Sequence, residues 1–150
     1  TDKNVIVGIG DNRIRDELTY RLINVGFKLP VLIHPSAVVS KYVKIGAGSV
    51  VFAKAVINAF AQVGQNSIIN TGALVEHDCI LGKSVHLSPY VALAGGTKIG
   101  CLSWLGIGSV TKQLIEIGEC TIIGANSTVI KNIPSNVVAI GSPAVIKKYP

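Results

Sequence analysis

Residues 33–68 read IHPSAV VSKYVK IGAGSV VFAKAV INAFAQ VGQNSI, and the same six-residue frame continues without an insertion to Ile133. Stepping by six from Ile33 gives Val39, Ile45, Val51 and so on to Ile117, Ile123 and Val129, a column in which Thr111 is the single residue that is not aliphatic. Four places further along each hexad, from Ala37, Val43 and Ser49 to Thr121, Ser127 and Ile133, every residue is small or β-branched. No charged residue between 33 and 133 falls in either column, so the period is a rule of burial. An α-helix, with its own period of 3.6, cannot keep a six-residue repeat on one face. A chain coiling through short stacked strands can: each hexad supplies one strand and one corner, aliphatics fill the axis, and narrow side chains pack beside them. Three hexads close one triangular coil, so residues 33–134 make about five and a half coils.

The length of 150 residues is that of one domain, long enough to bury a proper core. With no apolar run of ~18 residues and no signal-peptide layout, the expected location is the cytoplasm, without membrane insertion. Three cysteines and no CxxC read as free thiols in a reducing compartment, with Cys79 a core residue of the narrow column. The net charge of +6 rests on outward lysines such as Lys41, Lys54, Lys83, Lys112 and Lys148. They read as a solvated surface, or as attractants for a polyanion such as coenzyme A or a nucleotide-sugar diphosphate. No basic run interleaved with aromatics points to nucleic acid.

Before the repeat, Asn4 to Ile9 reads as a short buried strand, and Arg13 to about Val25 as an amphipathic helix. Its apolar stripe would be Ile14, Leu18, Leu22 and Val25, with Asp11 or Asn12 as cap and Gly26 at its end. This βα unit either caps the prism or is part of a larger αβ domain, a boundary that divides the chain into residues 1–30 and 31–150. After Ile133 the register stops, Ser135 fills the next aliphatic slot, and Val137 to Lys148 reads as a closing segment.

Glu76, His77 and Asp78 occupy the outward positions of one hexad, with the histidine at a corner. Eighteen residues on, one coil above, stand Gly95 and Gly96, so nothing covers the imidazole and a ligand can lie against backbone there. A corner histidine by itself is ordinary surface; an adjacent carboxylate orients the ring and raises its basicity, which suits a general base. His86 is half a coil away and faces another side, with Trp104 stacked above it either as interface packing or as a ligand contact. The two histidines can converge only across a subunit interface, which predicts a homotrimer with intersubunit sites. His34, the third histidine, lies at the start of the prism, and no HxxxxH spacing suggests a metal site, so none is expected.

The hexad resembles that of the left-handed parallel β-helix acyltransferases, and the left hand is implied by that resemblance, since general chirality rules favour right-handed crossovers. The expected fold is therefore mainly β: a left-handed parallel β-helix of five to six coils with a short N-terminal βα unit and a C-terminal cap. NTGALVEHDCILGKSVHLSPYVALAGGTKIG (Asn70 to Gly100) is similar to the sialic-acid O-acetyltransferase and UDP-4-amino-sugar (bacillosamine) N-acetyltransferase family. That likeness implies His77 as general base with Asp78 raising its basicity, and His86, Gly95 and Ile107 as acetyl-CoA contacts. It also implies substrate contacts at Asn70 and Gly10, the latter in the Gly10-Asp11-Asn12 turn. Family members open with a glycine-rich nucleotide-binding turn that is missing from this sequence, which makes residues 1–30 a partial unit. The function implied is acetyl-CoA-dependent N-acetylation of a nucleotide-activated amino sugar (UDP-4-amino-4,6-dideoxy type) for glycan biosynthesis. O-acetylation of a sialic acid and a noncatalytic trimeric binding scaffold are the alternatives.

Overall fold

Each hexad becomes one two-residue strand and one corner in the structure, a computed structural model that describes residues 3–147. The first face of the prism stacks β1 (Leu32–Ile33), β4 (Val50–Val51), β7 (Ile68–Ile69), β10 (His86–Leu87), β13 (Trp104–Leu105) and β16 (Ile122–Ile123). The second stacks β2 (Val38–Val39), β5 (Val56–Ile57), β8 (Leu74–Val75), β11 (Ala92–Leu93), β14 (Val110–Thr111) and β17 (Thr128–Val129). The third stacks β3 (Lys44–Ile45), β6 (Gln62–Val63), β9 (Ile80–Leu81), β12 (Lys98–Ile99) and β15 (Glu116–Ile117). All pairings within the faces are parallel, and partners lie eighteen residues apart, as in His86 with Trp104 or Lys98 with Glu116.

The aliphatic column is the core: Val51, Ile57, Ile69, Val75, Leu87, Leu93, Leu105, Ile123 and Val129 are essentially inaccessible. Full burial of such a side chain stabilises by roughly 1.5–3 kcal/mol. The narrow column does more than save space. Ser67 Oγ donates to the Gly82 carbonyl and accepts the Val85 amide, and Ser103 does the same between Gly118 and Thr121, so hydroxyls satisfy corner groups that the strands cannot reach.

From Gly48 to Asn126 every sixth residue has a positive φ, including bulky Phe60, Tyr90, Leu102 and Leu114. Left-handed backbone costs such residues roughly 1–2 kcal/mol each, and here the parallel ladders on either side hold every corner in it. Beyond β17 the frame shortens by two: Ile117 bridges Ile133 and Ile122 pairs with Val138. Ala139 takes the buried slot, β18 (Val138–Ile140) extends the first face, and β19 (Val145–Lys147) folds back antiparallel on it. The closing segment expected to run to Lys148 is thus a hairpin, Lys148 itself lying outside the described residues.

The N-terminal unit departs from expectation twice. Residues 4–9 form no buried strand: Asn4 makes one bridge to Lys28, and the stretch runs partly exposed to Gly10. The helix α1 (Asn12–Asn24) forms as expected, capped by the Asp11 carboxylate on the Arg13 and Ile14 amides, with Gly26 at φ 86° past its end. Its buried face, however, is polar: Asn12, Arg15 and Thr19 pack on the prism, while Ile14 and Val25 of the expected stripe are 50% and 63% exposed. The helix docks along the edge between the third and first faces, where corner carbonyls are plentiful and call for donors instead of methyl groups.

Candidate active site

Arg15 makes that docking possible. Its side chain is 1% exposed, and its nitrogens donate to the carbonyls of Asn66, Ser84, Ile9 and Gly10 and to Asn12 Oδ1. Burial lowers its pKa to about 10, opposed by the charges of Asp16 and Asp11, so it stays a cation at neutral pH. Asn12 spans to the Leu102 and Ser103 carbonyls, and Asp16 accepts from Ser84 and Lys83. Burial pushes the Asp16 carboxyl up, but those hydrogen bonds outweigh it and hold the pKa below the usual carboxylate value. By gripping Ile9 and Gly10, Arg15 fixes the turn ahead of α1 against the first face.

That turn and the face enclose a cavity of about 460 Å³, whose lining includes Gly10, Arg13, His86, Leu102, Trp104 and Cys120. His86 Nδ1 lies 3.3 Å from the Gly10 carbonyl, which leaves Nε2 to accept from the Asn70 side-chain amide at 3.4 Å. The ring stacks on Trp104 at 6.1 Å between centroids, and Trp104 Nε1 donates to Ser88 Oγ. Burial pushes the His86 pKa below 6.5, with the Gly10 carbonyl opposing and the Arg15 charge assisting, so the ring is neutral at pH 7. Ile107 lies on the neighbouring corner, half exposed. Gly10, Asn70, His86 and Ile107 therefore gather on one side of the prism.

His77, Asp78 and Gly95 gather on the other. The corner between the second and third faces carries the imidazole outward, 64% exposed, with Nδ1 2.8 Å from the Asp78 carboxylate. Asp78 has φ 59°, and this left-handed corner brings its carboxylate back beside the preceding ring. The carboxylate on Nδ1 keeps the proton there and leaves the Nε2 lone pair free. Nε2 points at the next coil, where a Cβ on Gly95 would come within 2.7 Å of it. The vertical register between 77 and 95 read from the sequence holds, and Gly96 N–H bonds the His77 carbonyl at 2.9 Å. Within one chain the corner of His77 is opposite the first face, so the seven expected site residues form two clusters that do not meet.

Arg15, Asn12 and Cys120 were not among the expected residues. The spacing 12, 15, 19 is a helical face, but 14, 18, 22 is one as well, and a sequence alone does not say which of the two meets corner carbonyls. Among the described residues no group of three or more His, Cys, Asp or Glu could hold a metal ion, and no helix is long and apolar enough to cross a membrane.

No protein-family model matches the chain. Known structures do. A histidine variant of perosamine N-acetyltransferase from Caulobacter crescentus, in complex with CoA and GDP-perosamine, superposes with a TM-score of 0.97 at 46% identity, covering 98% of this chain and 70% of that one. The acetyltransferase domain of PglB from Neisseria gonorrhoeae matches with a TM-score of 0.95 at 42% identity over 96% of this chain and 70% of that one. Among curated sequences, GDP-perosamine N-acetyltransferase of Escherichia coli O157:H7 is 28% identical over 144 residues, 92% of this chain. The chain spans 65% of that relative and between 20 and 27% of others that match more locally. The architecture is that of the left-handed β-helix acetyltransferases. The chain belongs to the hexapeptide-repeat β-helix acetyltransferase family.

Proposed function

We propose that this chain carries out acetyl-CoA-dependent N-acetylation of a nucleotide-activated amino sugar, by direct transfer with His77 as general base. The observation that carries the reading is the open Nε2 of His77, held by Asp78 on one side and facing Gly95 on the other. The acceptor amine, as the free base, attacks the thioester carbonyl carbon, and Nε2 takes the proton the nitrogen sheds as the C–N bond forms. The tetrahedral intermediate collapses, the C–S bond breaks, and the imidazolium returns its proton to the departing sulfur, giving amide and free coenzyme thiol. Gly95, having no side chain, lets the thioester lie within reach of the base. A Cys79 acyl intermediate is disfavoured, because its sulfur is inaccessible and burial pushes its thiol pKa up.

The site is completed between copies. The outward residues of the second face are Val38, Val56, Leu74, Ala92, Val110 and, at its end, Thr128, and those of the first include Val50, Ile68, Trp104 and Ile122, whereas the third carries Lys44, Gln62, Lys98 and Glu116 around a single aliphatic, Ile80. Two apolar faces and one charged face suit a ring of three in which the first face of one copy packs on the second face of the next. The corner of His77 then reaches the neighbour's cavity beside His86, Asn70 and Gly10. In this assembly His86, Gly95 and Ile107 contact the coenzyme, and Gly10 and Asn70 the acceptor. Residues 1–30 form the nucleotide-facing unit and 31–150 the transfer unit.

The test is thiol release from acetyl-CoA with a panel of GDP- and UDP-linked amino sugars set against free sialic acid. Release with one of the amino-sugar nucleotides and intersecting initial-velocity lines are expected. Release with sialic acid alone makes the chain an O-acetyltransferase, and no release with any acceptor refutes the reading.

A further inference from the structure

The one polar residue of the aliphatic column sits at the coil directly above Gly95. After each strand from β1 to β16, the next amide donates to a backbone carbonyl one coil up: Glu76 to Leu93, Gly82 to Ile99, Ser88 to Leu105 and Gly100 to Ile117 are examples. Ala94 alone does not. Its N–H goes to the hydroxyl of Thr111 at 3.1 Å instead of the Thr111 carbonyl, and β11 and β14 share only the Ala92–Val110 pair where neighbouring strands share two. Thr97 Oγ1 lies 2.6 Å from the Ala94 carbonyl and 3.0 Å from Thr111 Oγ1. Each hydroxyl has one hydrogen, which settles the directions: Thr97 donates to the Ala94 carbonyl, Thr111 donates to Thr97, and Ala94 N–H donates to Thr111. The three bonds close a ring inside the prism and grip both peptide groups of Ala94, immediately before Gly95.

We propose that Thr111 and Thr97 are positioning residues for acetyl transfer, whose hydroxyl ring takes Ala94 out of the regular ladder and so sets the Gly95 backbone against the His77 imidazole. The inference rests on the reading that coenzyme and acceptor meet at His77 and Gly95. An aliphatic side chain at 111, as in every other coil, would fill the axis equally well but offer Ala94 only the carbonyl, and the ladder would pull residues 94–96 back into line. A displacement near 1 Å at a reacting centre is worth on the order of 10²-fold in rate.

Thr111→Val, Thr111→Ser and Thr97→Val, each in the full chain, together with the double valine variant, test this. Thr111→Val and Thr97→Val are expected to melt within a few degrees of the parent while turnover drops about tenfold to a hundredfold. Thr111→Ser, which keeps the hydroxyl, should recover most of the rate, and the double variant should be no worse than either single one, because both break the same ring. Parent-like turnover in Thr111→Val, equal impairment in the serine variant, or independent multiplicative losses would overturn the proposal. If the parent chain itself transfers no acetyl group, the functional reading fails instead. Crystal structures of the parent and of Thr111→Val then decide the geometric claim, which is lost if residues 94–96 superpose unchanged.

Discussion

His77 and His86 are nine residues apart on one solenoid, yet the chain treats them in opposite ways. The first stands on an open corner, its ring held by its own neighbour in sequence, with a glycine above and solvent around it. The second lies under a roof built by residues far away in sequence: Gly10 on one nitrogen, Asn70 on the other, Trp104 stacked one coil above, and the Arg15 cation behind the turn. The base proposed at His77 needs access and a free lone pair, and local sequence supplies both. The ligand-reading ring proposed at His86 needs a fixed tautomer in a formed cavity, which requires a second element to dock.

That contrast can be broken by experiment. Its sharpest edge is His77→Ala, expected to lower turnover by ~10²–10⁴ while acetyl-CoA binding and melting temperature stay near parent values, since general-base assistance is the term removed. Parallel calorimetry and steady-state kinetics check it, and unchanged turnover would return the corner to ordinary surface. A smaller effect is expected at Arg15→Met, which keeps the buried stem but leaves corner carbonyls without donors. Stability should drop by about 1.5–3 kcal/mol in urea unfolding, and ligand affinity at the His86 cavity should weaken with it. A variant as stable as the parent would mean that the helix docks by other means.

The smallest effect is in pH. Folding lowers the His86 pKa, so the unfolded chain takes up a proton first as pH falls through 6.5. The stability that His86 contributes is therefore complete above 6.5 and lost as pH falls through the folded value. Between these limits the slope is at most about 1.4 kcal/mol per pH unit. Asp16 bends the curve in the same sense but at carboxylate pH, well outside this window. Comparing the parent with His86→Phe by denaturation from pH 5 to 7.5 isolates the contribution, and identical slopes would show that the ring is not desolvated.

What the sequence made legible follows the same division. The prism, its eighteen-residue coil and the facing of His77 and Gly95 are consequences of counting, because a solenoid turns distance along the chain into height and azimuth. The left-handed corners escaped the count: glycine or asparagine marks Gly48, Asn66, Gly72 and Gly108, but Phe60, Tyr90 and Leu114 hold the same conformation with no local sign of it. The docking of α1 escaped as well. Ile14, Leu18, Leu22 and Val25 carry the ordinary signature of a core-facing stripe, and only the row of carbonyls at residues 66, 84, 102 and 103 makes the polar side the better fit. Burying an arginine is unfavourable unless nearly every donor finds an acceptor, and that is a property of the assembled edge. Thr111 was visible as an exception, yet its partner Thr97 looked like any narrow residue.

The strict register also makes chain length come in quanta. Inserting one hexad between His77 and Gly95 would turn everything beyond it through a third of a revolution and hand the glycine to another face. Inserting three hexads would restore the azimuth but lift the glycine one storey out of reach of the imidazole. For the imidazole to face the glycine, the span from 77 to 95 is therefore fixed to the residue.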